Sequence, residues 1–217
     1  LSMSAGSERI RVMTSLGYLD QNGIIKNANF KRYNLRNNMD IRMNDRLNFR
    51  LDIAATYSRR AANPYQSSVF GFMNSKDPLM LAQWSDGSYA PFTGGTVNPL
   101  PMIEQGVGGN NIRQNGVLKA SAALEYKPVQ WLTLEVKAAP QLTAVKTHRF
   151  VDLVEYHSDP YGTVSKTSNA EYNSLDETVT AAWNGYYHAT AAATRQFGGH
   201  SFKLLVGASY EEYDYYS

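Results

Sequence analysis

Four histidines, His148, His157, His188 and His200, are the only imidazoles in this chain of 217 residues, and cysteine is absent. Zinc needs three or four converging ligands, and these histidines show neither an i,i+4 spacing nor an H-x-H pair. No metal site is read here. The serines lack a G-x-S-x-G elbow, and a serine without an oriented base is an ordinary polar residue. Gly106-Val107-Gly108-Gly109 has the glycines of a phosphate-cradling loop, but no Lys-Ser/Thr follows and no strand-to-helix context surrounds it. Asp152 and Glu155 have the chemistry of a glycosidase pair, yet nothing in the spacing brings them together. The chain is therefore expected to be no enzyme and to hold no cofactor.

Binding chemistry is better represented. The segment 59–112 holds Tyr65, Phe70, Phe72, Trp84, Tyr89 and Phe92 among Asn, Ser, Gly and Asp residues, a composition suited to stacking on sugar rings or gripping peptide side chains. Trp84 and Tyr89 are the candidate ligand contacts. Against that stands a loop that packs these rings on its own neighbours or on a partner protein. Asp159-Pro160-Tyr161-Gly162 reads as a turn at a loop tip.

The elements that must carry these residues follow from period. In 46–58, Leu47, Phe49, Leu51, Ile53, Ala55 and Tyr57 alternate with Asn48, Arg50, Asp52, Ala54, Thr56 and Ser58, which is the period of a strand. In 31–43, Tyr33, Leu35, Met39, Ile41 and Met43 alternate with Arg32, Asn34, Arg36, Asn38, Asp40 and Arg42. The same alternation runs through 117–126 and 132–145, and in weaker form through 8–19, 177–196 and 201–213, with Leu1 to Ala5 as a short stub. No helical period of comparable length is found. The fold class is all-β, an antiparallel up-and-down meander of seven or eight strands.

Connections alternate in length. Gly6-Ser7, Asn44-Asp45, Pro128-Val129-Gln130 and Gly198-Gly199 suit tight hairpins. Between them lie long links near 20–29, 59–112 and 149–174. Short turns at one end and long loops at the other are the rule for outer-membrane barrels. Tyr126, Trp131, Phe197 and Phe202 flank the short turns, while Tyr18, Tyr33, Tyr57, Tyr210 and Tyr213 lie toward the long loops, as two interfacial girdles would.

Composition is compatible with this. No apolar run reaches 18 residues and mean hydropathy is −0.42, but a membrane strand needs only about 9–11 residues with every second one apolar. Leu1 to Gly6 lack the pattern of a signal peptide. With 21 Lys plus Arg against 19 Asp plus Glu, the net charge of +2 gives no footprint for nucleic acid. In a membrane barrel the face carrying Arg32, Arg36, Asp40 and Arg42 must turn to the lumen, because Arg at the bilayer midplane costs about 2–4 kcal/mol. There these residues line a transport path or pair with acidic groups of a plug.

Leu16-Gly17-Tyr18-Leu19-Asp20-Gln21-Asn22-Gly23-Ile24-Ile25, followed by Phe30-Lys31-Arg32-Tyr33-Asn34-Leu35-Arg36-Asn37-Asn38-Met39-Asp40, resembles the start of the barrel region in SusC/RagA-type TonB-dependent transporters of Bacteroidetes outer membranes. Phe197-Gly198-Gly199-His200, ahead of a strand ending Val206-Gly207-Ala208-Ser209-Tyr210-Glu211, is similar to a recurring hairpin of the same family. The resemblance implies a barrel of about 22 strands with an N-terminal plug. It further implies import powered through TonB, a SusD-like surface lipoprotein as lid, and an oligosaccharide or peptide as cargo. Signal peptide, plug and TonB-contacting segment are not found here, so the chain is expected to be an internal piece of such a barrel, embedded in outer-membrane lipid. A small structural or adhesive outer-membrane barrel, a membrane enzyme and a soluble carbohydrate-binding β module are the alternatives.

Overall fold

The computed structural model describes residues 1–75, 77, 79–91, 97–104, 107–165 and 170–217. Eight strands form one antiparallel sheet in sequence order: β1 (Ser2–Gly6), β2 (Ile10–Asn22), β3 (Asn29–Asn44), β4 (Leu47–Ala62), β5 (Gly109–Val129), β6 (Leu132–Val151), β7 (Ser174–Phe197) and β8 (His200–Tyr216). The expected all-β meander is what the chain folds into. Several strands are far longer than the five or six residues usual in soluble sheets: β5 has 21, β6 has 20 and β7 has 24.

Register sorts side chains onto two faces. One continuous row runs Val12, Met39, Leu51, Ala122, Ala138, Tyr187 and Tyr210. A neighbouring row on the opposite face runs Arg11, Asp40, Arg50, Ala123, Lys137, His188 and Ser209. Because side chains alternate at every residue, a one-residue slip of any strand would exchange these faces, so the segregation fixes the register. Neither face is covered: on the apolar one Val136 is 52% and Val206 61% exposed. No helix among the described residues is long and apolar enough to cross a membrane, which says nothing about crossing by strands.

Tight turns lie at one end. The Ser7 hydroxyl accepts from the amides of Arg9 and Ile10, the Arg46 amide donates to Asn44 Oδ1, and Gly198 takes the left-handed backbone its turn requires. Pro128 and Val129 belong to β5, so that hairpin turns one step later than their sequence suggests. At the other end lie the connections 23–28, 63–108 and 152–173. All three are shorter than expected because the strands run on past their apolar stretches: Asp20, Gln21 and Asn22 still pair with Lys31, Phe30 and Asn29.

Two further features differ from the expectation. The connection 63–108 contains two short helices, α1 (Gln66–Asn74) and α2 (Leu100–Ile103). Helix α1 has no side-chain cap and buries only Val69, so its start and its inward face leave little trace in sequence. Tyr213 falls on the polar face, opposite Asn184, and is not part of the outward aromatic row.

Candidate functional site

On the polar face, β3 presents Arg32, Arg36, Asp40 and Arg42 at alternate positions, and neighbouring strands complete the row around them. Asp40 lies between Arg11 and Arg50 in the register. Arg36 Nε donates to Asn38 Oδ1 at 3.2 Å, and Asn38 in turn donates to Asp52. Arg50 forms an ion pair with Glu135 at 2.5 Å, and His188 Nε2 lies 3.2 Å from the other oxygen of the same carboxylate. The structure thus brings together Arg50, Glu135 and His188, a grouping that sequence reasoning missed. Each lies at an even or odd position that assigns its face, but the register that joins residues 85 positions apart is not a local property.

The long connections fold together over the other end. Tyr156, Met102, Val69, Asn98 and Pro101 are fully buried there, whereas the sheet itself has almost no buried side chains. Asn98 holds this cap: its Nδ2 donates to the carbonyls of Ala82 (2.6 Å) and Ala90 (2.9 Å), and its Oδ1 accepts from the Leu100 amide at 3.0 Å. Its own carbonyl accepts from Tyr156 Oη at 3.3 Å, and burial pushes the Tyr156 phenol well above the usual range.

Trp84 and Tyr89 sit together in this cap on a narrow turn, where the Trp84 amide donates to the Ser88 carbonyl. Trp84 Nε1 donates to the His157 carbonyl, and the Tyr89 carbonyl accepts from the His157 amide at 2.8 Å. Tyr89 Oη donates to Glu104, and burial, then that carboxylate, push the phenol up to about 12. Both rings are half-buried, with their polar tips turned to the cap itself. The turn at 159–162 forms as expected: Asp159 Oδ1 accepts from the amides of Tyr161 and Thr163, and Tyr161 is 92% exposed. Hydrogen bonds from Thr163 and Tyr161 hold the Asp159 carboxyl below its ordinary value. Phe92 and Gly106 lie outside the described residues.

Among the described residues no three His, Asp or Glu side chains converge as metal ligands, and the four histidines are dispersed over β6, the cap, β7 and the start of β8. The arrangement offers two surfaces: a charged face along the sheet, and an aromatic cap at its loop end.

No family model matches the chain. It is 26% identical over 98% of its length to TonB-dependent receptor P26 of Formosa agariphila, and 30% identical over 69% of its length to TonB-dependent receptor P39 of the same organism. It spans 20% and 13% of those proteins. Among solved structures it superposes on the RagAB peptide importer in a closed-closed state (TM-score 0.68, 19% identity) and on the RagAB peptide transporter (TM-score 0.70, 18% identity). In each case 98% of this chain matches 24% of the solved one, which shows a common fold. None of these names describes an enzyme. The relatives and the shared fold bear out the resemblance seen in the sequence: the chain resembles a segment of a TonB-dependent receptor and folds as a stretch of the RagAB structures does.

Proposed function

We propose that the chain forms part of the barrel wall and surface loops of an outer-membrane importer that moves oligosaccharides or peptides with energy from TonB. The observation that carries this reading is the two-faced sheet, with an uncovered apolar face, all tight turns at one end and the folded cap at the other. A hydrocarbon solvent suits such an apolar face, and closure into a barrel satisfies the open edges of β1 and β8 through further strands. On this reading residues 1–217 are one portion of a multi-pass barrel domain. Arg32, Arg36, Asp40 and Arg42 face its lumen, where they contact a plug domain. The cap presents Trp84 and Tyr89 toward cargo and toward a SusD-like lipoprotein.

The test is a pair of adjacent substitutions in the full-length protein. Leu51→Arg, on the apolar face, is expected to abolish the heat-modifiable form in outer-membrane fractions, since a midplane Arg costs about 2–4 kcal/mol. Asp52→Asn, on the other face, is expected to assemble normally and to import labelled oligosaccharide or peptide only when TonB is present. Equal assembly of both variants would sink the membrane reading. Import independent of TonB would sink the energised one.

A further inference from the structure

The apolar face changes character sharply near the loop end. Tyr18, Tyr33 and Tyr57 stack side by side, with ring centroids 5.0 and 6.3 Å apart. The row then continues through Gly116, Ala144 and Ala181, so the aromatic band is interrupted over three strands. Crowding does not force the gap. A Cβ on Gly116 would meet only the Ala144 carbonyl at 3.9 Å. Beside the tyrosines this leaves an open apolar hollow of about 850 Å³, floored by Leu35, Ala55, Leu118 and Leu142.

Two residues further toward the loops, about 7 Å along the strands, the same face carries the row Asp20, Lys31, Arg59, Gln114 and Lys146. Lys31 and Arg59 are directly opposite, a like-charge placement that disfavours the sheet unless an anion answers it. Asp20 pairs with Lys31 at 3.2 Å but also accepts from Tyr18 and Asn29. Glu177 lies 3.9 Å from Lys146 and 2.7 Å from His148. These two acids flank the row, and Arg59, near its middle, makes no side-chain hydrogen bond or ion pair with any described residue.

We infer that this place binds a phosphorylated membrane lipid, with an acyl chain in the hollow over Gly116 and Ala144 and the phosphate held by Arg59 and Lys146, with Lys31 alongside. The inference rests on the membrane reading above. Cations placed just outside an aromatic band meet headgroup phosphates, and the hollow beneath them meets the tails. Charge and shape both select a single molecule that is anionic at one end and apolar at the other, which neither free phosphate nor a neutral lipid is.

The experiment uses the full-length protein purified in neutral detergent. Native mass spectrometry follows retention of bisphosphorylated lipid A, of the same lipid after phosphatase treatment, and of lipid A in the presence of excess inorganic phosphate. Retention of the phosphorylated form is expected, falling about fivefold with Arg59→Gln and further with Arg59→Gln/Lys146→Gln. Gly116→Leu, which fills the hollow without removing charge, is expected to weaken it too, while Arg60→Gln on the other face leaves it unchanged. Equal retention of both lipid forms, equal retention by all variants, or full displacement by inorganic phosphate would each overturn the site. Heat modifiability of each variant separates lost binding from lost folding, and if Gly116→Leu does not fold, Arg59→Gln alone decides. Normal assembly of Leu51→Arg would instead overturn the membrane reading beneath it.

Discussion

Arg50 on β4 and Glu135 on β6 meet side chain to side chain although β5 lies between their strands, because the residue that Arg50 must cross is Ala123. Ala123 is 6% exposed, a rare buried position within this open sheet. A double-mutant cycle with Arg50→Gln and Glu135→Gln is expected to give a coupling of about 0.5–1 kcal/mol, the range for partly exposed pairs. The readout is chemical denaturation of the detergent-solubilised protein. Ala123→Leu, which places bulk between the partners, is expected to remove the coupling.

Asn98 is fully buried, and its side chain serves three backbone groups on two sides of the cap. Asn98→Ala leaves the Ala90 carbonyl and the Leu100 amide without the Asn98 partner, at about 1–3 kcal/mol for each group left unsatisfied in the interior, while the Ala82 carbonyl keeps the Ala90 amide. Limited proteolysis within 63–108 is expected to accelerate by at least about tenfold, with the strands still protected. Unchanged cleavage would show that Asn98 does not hold the cap.

The Tyr89 phenol titrates above its free value of 10.0, at about 12, because only its neutral form is compatible with burial beside Glu104. A raised folded value means that this contribution to cap stability is complete below pH 10 and is lost as pH rises toward 12. Absorbance of tyrosinate, followed with cap proteolysis, is expected to show several late phenols, Tyr89 and Tyr156 of the cap among them, and opening of the cap across that interval. Tyr89→Phe removes one of these late titrations together with its coupling to opening.

Gly109 begins β5 at φ +97°, and a Cβ there would overlap the Phe150 carbonyl. No side chain tolerates that approach, so Gly109→Ala is expected to unpair Gly109 from Val151 and to cost more than about 1–3 kcal/mol locally. Faster amide exchange at the loop end of β5 and β6 is the measurement. Gly116→Ala, in ordinary backbone and open space, is expected to leave exchange unchanged.

Alternation made the strands legible wherever one face is apolar, as in Leu47 to Tyr57, since strict period two has no helical counterpart. Strand ends escaped that signal. Asp20 to Asn22 and Gly109 to Asn115 pair fully yet carry polar side chains on both faces, so nothing in their pattern separates them from loop. The positions of Arg32, Arg36, Asp40 and Arg42 on one face were readable from spacing alone, whereas the meeting of Arg50 with Glu135 needed the register of three strands. Trp84 stood out by residue type, but its anchoring to His157 joins positions 73 apart through a fold that composition does not encode.

The length of the strands has a consequence for where molecules meet this protein. From the Gly116 and Ala144 row to the Gly109 and Val151 row the sheet continues for seven residues, about 23 Å along the strand and about 18 Å in height at a tilt near 40°. In a bilayer levelled at the tyrosine row, the cap would ride on a stiff parapet above the headgroups. On the importer function proposed above, a cargo molecule would then be sorted at a height the lipid never reaches, and a bulky chain gripped before it touched the membrane at all.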